Sequence, residues 1–319
     1  MPSATPLLSV ILVTPDDYAT VRTTVRHLAR QTVCDRLELI LVAPSDDIGL
    51  VVSDVEGLHG WQVIATGPIR SSSEARVAGV RRSKAPVIAF GEDHAFPGPL
   101  WAEALLLAHE GPWAAVGPVV HNANPNTLIS WADLLIGYGP WLEPHPGGIV
   151  DFLPGHNSSY KRDLLLAYGP ALEDMLDAET VMHWDLRANG ERLYLEPAAR
   201  LAHMNYAMPG VWTRAQFHNG RLFAAQRVQC APHWKRLFFL AASPLIPFVR
   251  LVRTLRATTR LQRWGLMVRV TPVLFFGLLI DGLGQLVGYA TGAGSAMQHL
   301  VDIEFHRVRY ARLERVDLP

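Results

Sequence analysis

The stretch VIAFGEDHAFPGPLW, Val87 to Trp101, decides the fold. Val87, Ile88, Ala89 and Phe90 form an unbroken apolar run, the pattern of a strand covered on both faces in an α/β sheet. The run stops at Glu92, Asp93 and His94, and Pro97 with Pro99 keeps a helix from starting at once. Three polar, metal-capable side chains are thereby expected at a strand end. In open α/β sheets ligands bind beyond the carboxyl ends of the strands, so an acid-acid-imidazole cluster there suits a divalent cation and a phosphorylated ligand. A solvated acidic turn is the plainer reading of the same residues.

Working outward, Leu7 to Val13 is a β-rich run ending at Thr14-Pro15, and Tyr18, Val21, Val25 and Leu28 space a helix over Tyr18 to Gln31. Leu37 to Val42 and Trp61 to Ala65 read as further strands. This β-α-β-β order predicts a mostly parallel sheet. Ser71-Ser72-Ser73-Glu74 has the form of a helix start, continued by Ala75 to Arg82, which leads to Val87. Helices are expected at Trp101 to Leu107, Arg162 to Ala167 and Leu172 to Asn189, and strands at Ala114 to Val120 and Arg192 to Glu196. Asn122 to Pro154, rich in Pro, Gly, Asn and Trp, reads as loop.

Composition sets the outer limits. A chain of 319 residues can bury a full core and carry an accessory region. Only 18% of residues are charged and the mean hydropathy is +0.13, apolar enough to predict membrane contact and to exclude global disorder. Two cysteines, Cys34 and Cys230, exclude a disulfide scaffold, and the N-terminus lacks the basic and apolar regions of a secretion signal. A reducing, cytosol-facing location is the expectation.

Taken in order, the segments resemble glycosyltransferase family 2, inverting enzymes of GT-A fold, over about the first two thirds of the chain. LLSVILVTP is similar to the family's first strand, and SSSEARVAGVRRSKAPVIAF to the helix and strand before its DxD motif. GEDHAFPGPLW takes the DxD position itself. FLPGHNSSYKRDLL resembles the acceptor-side segment, and AETVMHWDLRANGERLYLEPAARLAH the ED-containing region that follows. The resemblance implies an α/β, Rossmann-like GT-A fold: a mostly parallel sheet flanked by helices, followed by a C-terminal helical membrane-associating region. The expected domains are 1–214 for transfer and 215–319 for membrane association.

By the same resemblance Glu92, His94 and His203 contact the metal, and Pro15, Asp46, Arg76, Glu92 and Asp93 the donor. Arg70 is a further phosphate candidate. His156, Asn157 and Arg221 fall on the acceptor side. Counting back from Gly190 puts Glu179 at the catalytic base, with Ala178 replacing its acidic partner and Asp177 or Asp174 as alternatives. Two departures stand out. The acids that usually follow the second strand are displaced to Asp46 and Asp47, and the DxD has become Glu-Asp-His. Mixed carboxylate and imidazole donors favour Mn²⁺ over Mg²⁺, which prefers oxygen.

The C-terminal third is basic and apolar. No Asp or Glu lies between Arg227 and Arg269. Leu237 to Val249 and Val270 to Ile280 are uncharged runs, each short of the roughly 20 residues of a spanning helix. Arg250, Arg253, Arg256, Arg260 and Arg263 recur at three or four residues, as one helical face suited to anionic lipid headgroups. The flanking apolar runs favour bilayer over nucleic acid.

The expected function is transfer of a sugar from a nucleotide-sugar donor to a lipid-linked or cell-envelope glycan, with divalent metal, at the cytosolic face of the membrane. The alternatives are a catalytically silent GT-A-like scaffold or binding protein, and a soluble enzyme whose C-terminal helices pack internally.

Overall fold

The computed structural model describes residues 5–311 apart from Ala178, Cys230 and the side chain of Asp302. In chain order it runs β1 (Leu8–Val13), α1 (Tyr18–Ala29), β2 (Leu37–Ala43), β3 (Gly60–Ala65), α2 (Ser72–Arg82), β4 (Val87–Phe90), β5 (Ala95–Pro97) and α3 (Trp101–His109). There follow β6 (Ala115–Asn122), α4 (Leu128–Tyr138), β7 (Gly148–Val150), β8 (Ser159–Lys161), α5 (Arg162–Ala167), α6 (Leu172–Asp177), α7 (Glu179–Ala188) and β9 (Leu193–His203). The remainder is helical: α8 (Pro209–Arg227), α9 (His233–Ala242), α10 (Ile246–Thr258), α11 (Trp264–Thr291), α12 (Ala296–Glu304) and α13 (Arg307–Tyr310).

The chain divides into two compact units, one built from residues up to His121 and Glu143–Ala202, the other from Asn122–Leu142 and residues from His203 onward. The expected boundary at Arg214 falls inside α8. The strand order is β3-β2-β1-β4-β8-β6-β9-β5, with β7 beside β9. β1 to β4 pair in parallel, whereas β8 runs antiparallel to β4 and β6.

In the first unit, the apolar runs read from sequence become fully covered strands; every residue of β2 and β4 is buried. Asp17 caps α1 by accepting from Ala19 N, and the buried face of that helix is Tyr18, Val21, Thr24, Val25 and Leu28. Ser71 caps α2 through Glu74 N, as the serine run predicts. α2 lies unusually close to β1 because Gly79 faces it: a Cβ there would stand 2.7 Å from Ile11 Cγ2. Gly91 allows the same at the end of β4, where a Cβ would meet Leu12 Cδ2 at 2.5 Å.

Two expectations are corrected. The loop expected over Asn122 to Pro154 contains α4, capped by Thr127 accepting from Ser130 N, and the short strand β7. Its helical sequence, LISWADLLIGY, is masked by flanking Pro, Gly and Asn. The strand expected to end at Glu196 continues to His203. Pro197 lies beyond the ladder with β7, which covers Leu193 to Leu195.

In the second unit, α8 and α11 meet backbone to backbone. A Cβ on Gly284 would lie 2.0 Å from the Phe217 carbonyl oxygen and one on Gly288 2.3 Å from that of Arg221, so only glycine fits at either place. The buried Asp133 of α4 accepts from Tyr206 N, Trp212 Nε1 and Gln216 Nε2, and Arg307 lies 3.6 Å away. Two stretches, His233–Leu261 and Trp264–Thr291, are long and apolar enough to cross a membrane, and only 11% of the apolar window of the first is buried.

The five-arginine face is also corrected. α10 ends at Thr258, a single 3₁₀ turn follows, and Gln262 adopts a left-handed φ of 51°, so Arg260 and Arg263 leave the face that carries Arg253 and Arg256. Arg250 pairs with Asp281, and Arg260 donates to the carbonyls of Gly139 and Pro140.

Gly79→Val should force α2 away from β1 and cost about 1–3 kcal/mol, the range for overpacking. Denaturant unfolding measures it; an unchanged midpoint would show that the close approach is not needed.

Candidate active site

The β4 end is built from three elements of the first unit. Gly91 N bonds to Ile11 O, holding the strand ends flush, and Thr24 Oγ1 of α1 lies 2.9 Å from Glu92 O. The 3₁₀ turn Gly155–Asn157 approaches from the other side, where Asn157 Nδ2 donates to Glu92 Oε2 at 2.7 Å. His94 is buried, with Nδ1 2.6 Å from Asp93 Oδ1 and Nε2 3.6 Å from Glu92 Oε2. A carboxylate can only accept, so Nδ1 carries a proton toward Asp93. Asp93 therefore orients the imidazole, the arrangement found behind metal-ligating histidines. Its other oxygen, Oδ2, is buried without a hydrogen-bond partner in the protein, the condition of an atom that a ligand or ordered water must satisfy.

A second cluster sits on the same unit. Arg76 of α2, with a side chain 5% exposed, places Nη1 3.0 Å from Glu179 Oε1 and 2.7 Å from His156 Nδ1. His156 Nδ1 is 3.1 Å from the same carboxylate oxygen. Burial works against charge on Glu179, yet His156 and Arg76 outweigh it and hold the carboxyl below its ordinary value. Burial and Arg76 also oppose charge on His156, but Glu179 prevails and raises its pKa. Below them, His183 is stacked on Tyr160 and bonded to its hydroxyl, and burial lowers its pKa to about 4, so it is neutral.

Arg76, His156, Asn157, Glu92, Asp93, His94 and Glu179 thus form two adjoining clusters, linked through neighbours His156 and Asn157. Asp177 is elsewhere: it accepts from Ser73 at the start of α2. Asp174 and Asp46 are exposed, Asp46 capping Asp47 N in its own turn, and Pro15 follows β1 half-buried. Ala178 lies outside the described residues.

In the second unit, Arg221 donates to Gly292 O. His203 is buried with Nδ1 2.9 Å from Asn205 Oδ1. Asn205 Nδ2 donates to Asn122 Oδ1 and His203 O, which fixes the amide with its oxygen toward His203. Nδ1 of His203 therefore also carries a proton. Sequence reasoning missed Asn205, although its position two residues beyond a candidate ligand was visible.

No protein-family model and no curated protein sequence matches the chain. Solved structures do. The mannosyltransferase PcManGT from Pyrobaculum calidifontis, in complex with GDP-Man and Mn²⁺, superposes with a TM-score of 0.53 at 15% identity, over 89% of this chain and 88% of that one. The fold is GT-A-like. GalNAc-T7 with UDP, GalNAc and Mn²⁺ matches at TM-score 0.49 and 14% identity, over 64% of this chain; the chain spans only 44% of that protein's length.

The opposed shifts of Glu179 and His156 set a pH signature. The stabilisation carried by Glu179 is present above its unfolded value and lost as pH falls through its lowered folded value. That carried by His156 is complete below its unfolded value of 6.5 and lost as pH rises through its raised folded value. The melting-temperature gap between wild type and His156→Gln should be widest between the carboxylate range and 6.5, then close toward alkaline pH. A gap independent of pH would show His156 to be uncharged.

Proposed function

We propose that the chain is an inverting, metal-dependent glycosyltransferase that uses a nucleotide-sugar donor. The observation that carries this reading is the β4 end, where Glu92 and the Asp93-oriented His94 stand beside the Arg76–Glu179–His156 cluster. Support comes from the GT-A-like fold and from GDP-Man and Mn²⁺ in the similar mannosyltransferase.

Glu92, His94 and His203 are the acid-and-imidazole group suited to one metal ion, and Nδ1 of each histidine is committed to an oxygen acceptor. A carboxylate with two imidazoles fits Mn²⁺ better than Mg²⁺. The bound ion would neutralise charge on the departing diphosphate. Arg76 holds a donor phosphate through charge-assisted hydrogen bonds, with Pro15, Asp46 and Asp93 toward the nucleotide. Glu179, kept ionised, takes the proton of the acceptor hydroxyl. A phosphate beside Arg76 competes for its guanidinium and so restores proton affinity to Glu179. His156, Asn157 and Arg221 are the residues assigned to acceptor binding. One base and direct displacement invert the anomeric centre.

The acceptor is a lipid-linked or cell-envelope glycan, and the C-terminal helices hold the enzyme on the cytosolic face of the membrane. Support for this part is the exposure of Trp234, Leu237, Phe238, Leu245, Phe248 and Val249 along the first apolar stretch.

A nucleotide-sugar panel tests the enzyme reading. Mn²⁺ should tighten nucleotide binding and Glu92→Ala should remove that gain. Glu179→Gln should bind donor but lose transfer about a hundredfold or more. Metal-tightened binding without turnover on any donor would leave a catalytically silent scaffold; equal affinity with Mn²⁺ and with chelator would exclude the metal site.

Membrane fractionation tests the second part. Surface adsorption by arginines is screened by salt whereas inserted apolar helices resist it, so high salt should leave the protein in the pellet and detergent should release it. A full-length chain that stays monodisperse without detergent or lipid would show that the helices pack internally.

A further inference from the structure

The junction between the two apolar stretches forms an open cavity of about 310 Å³ that the transfer chemistry does not use. Leu255 and Arg256 contribute from α10, and Arg263, Trp264, Met267 and Val268 from the start of α11. Among the described residues no carboxylate lines it, and the sequence holds no Asp or Glu from Val228 to Ile280. Arg256 and Arg263 are exposed, and the Arg263 guanidinium stands 5.6 Å over the Trp131 ring. The left-handed Gln262 turns the chain so that the 28-residue α11 begins immediately after Arg263, with no side chain capping its first amides. Two arginines and the positive end of a long helix thus border a groove whose other walls are Leu255, Trp264, Met267 and Val268 with the threonines Thr258, Thr259 and Thr271.

We propose that this cavity binds the phosphate of one membrane lipid, with Arg256 and Arg263 on the headgroup and the acyl chain against Trp264 and Val268. The charge complementarity requires an anion, and guanidinium groups are suited to phosphate. The apolar rim decides the source. Trp264 is 66% and Val268 74% exposed, so a free phosphate would leave both in water while a lipid chain covers them. Tryptophan and arginine at the end of an apolar helix are also the residues that mark the headgroup level of a bilayer. The inference rests on the reading that these helices meet the membrane, but it names a single built site rather than a diffuse basic surface.

The test uses full-length protein in a non-ionic detergent, with dioleoyl phosphatidic acid titrated as the probe and bound lipid counted by native mass spectrometry. One lipid should bind, and Arg256→Gln with Arg263→Gln should weaken it about thirtyfold, from the contribution usual for two arginines at an anionic surface. Arg253→Gln with Arg269→Gln removes the same charge from exposed positions outside the cavity and should change affinity less than about threefold. Val268→Glu, at the exposed rim, should abolish binding independently. Equal losses in the two double variants, or none in either, would overturn the site. Inorganic phosphate binding as tightly as the lipid, or dioleoylglycerol matching it, would overturn a lipid phosphate as the occupant. Flotation with neutral phosphatidylcholine vesicles is the separate readout for membrane contact: a chain that binds phosphatidic acid in micelles but does not float keeps the site and loses the membrane reading.

Discussion

The candidate site depends on one buried ion pair, Arg76 with Glu179. A guanidinium and a carboxylate this sheltered are tolerable only together, and removing one partner from such a pair costs about 3–5 kcal/mol because the other is left uncompensated. The pair fixes neighbouring backbone as well. Gly79, one turn along from Arg76, brings α2 down on Ile11, and a Cβ on Gly155 would lie 2.1 Å from Glu179 Oε2. The turn that carries Gly155 is therefore set directly against the carboxylate. It delivers His156 to Glu179 and Asn157 to Glu92, so the position of the acid at the β4 end is inherited from a contact made by α7.

The second unit solves the opposite problem, placing polar groups inside apolar helices. Asp281 accepts from Arg250 and from Gln285 one turn along its own helix, so the charge within α11 is paired and hydrogen-bonded. Unpaired ionisable groups in such segments are expensive, and this pairing leaves no uncompensated charge at Asp281. Asp133 is handled differently. Burial raises its pKa to about 6 against the pull of Arg307, and donors from three places on the chain share its two oxygens. It fastens α4 and α8, together with the residues after β9, about one carboxylate.

What could be read in sequence was what local chemistry determines. Ser71 and Glu74 announced the start of α2, the period of Tyr18, Val21, Val25 and Leu28 announced α1, and the apolar runs announced β1, β2 and β4. α4 was hidden because Pro, Gly and Asn flank its sequence, and the hydrogen-bond partners of its buried Asp133 lie 73 to 83 residues away. The arginine face was misread for a related reason: spacing at three and four residues assumes one continuous helix, and neither the turn at Gln262 nor the distant partner Asp281 leaves a local trace. In the site, Glu92 and His94 were legible as a polar stop to a buried strand. The grouping of Glu179 with Arg76, 103 residues earlier, followed only from the order of family-like segments. Asp93 was read as a donor contact, and only its geometry shows it orienting His94.

That orientation bears on which ion the histidines suit. His94 gives its Nδ1 proton to a carboxylate and His203 gives its own to the neutral amide of Asn205. The two Nδ1 contacts are not equivalent. An ionised acceptor withdraws the Nδ1 proton more strongly and makes the opposite nitrogen more basic, so in the proposed metal site His94 would be the stronger ligand and His203 the weaker. Replacing an aspartate of the usual motif by an imidazole loses one negative charge; the carboxylate of Asp93, acting through the ring, returns part of it to the donor atom. A site so arranged keeps the electrostatics needed beside a diphosphate while changing the donor set toward nitrogen, and nitrogen donors select against Mg²⁺.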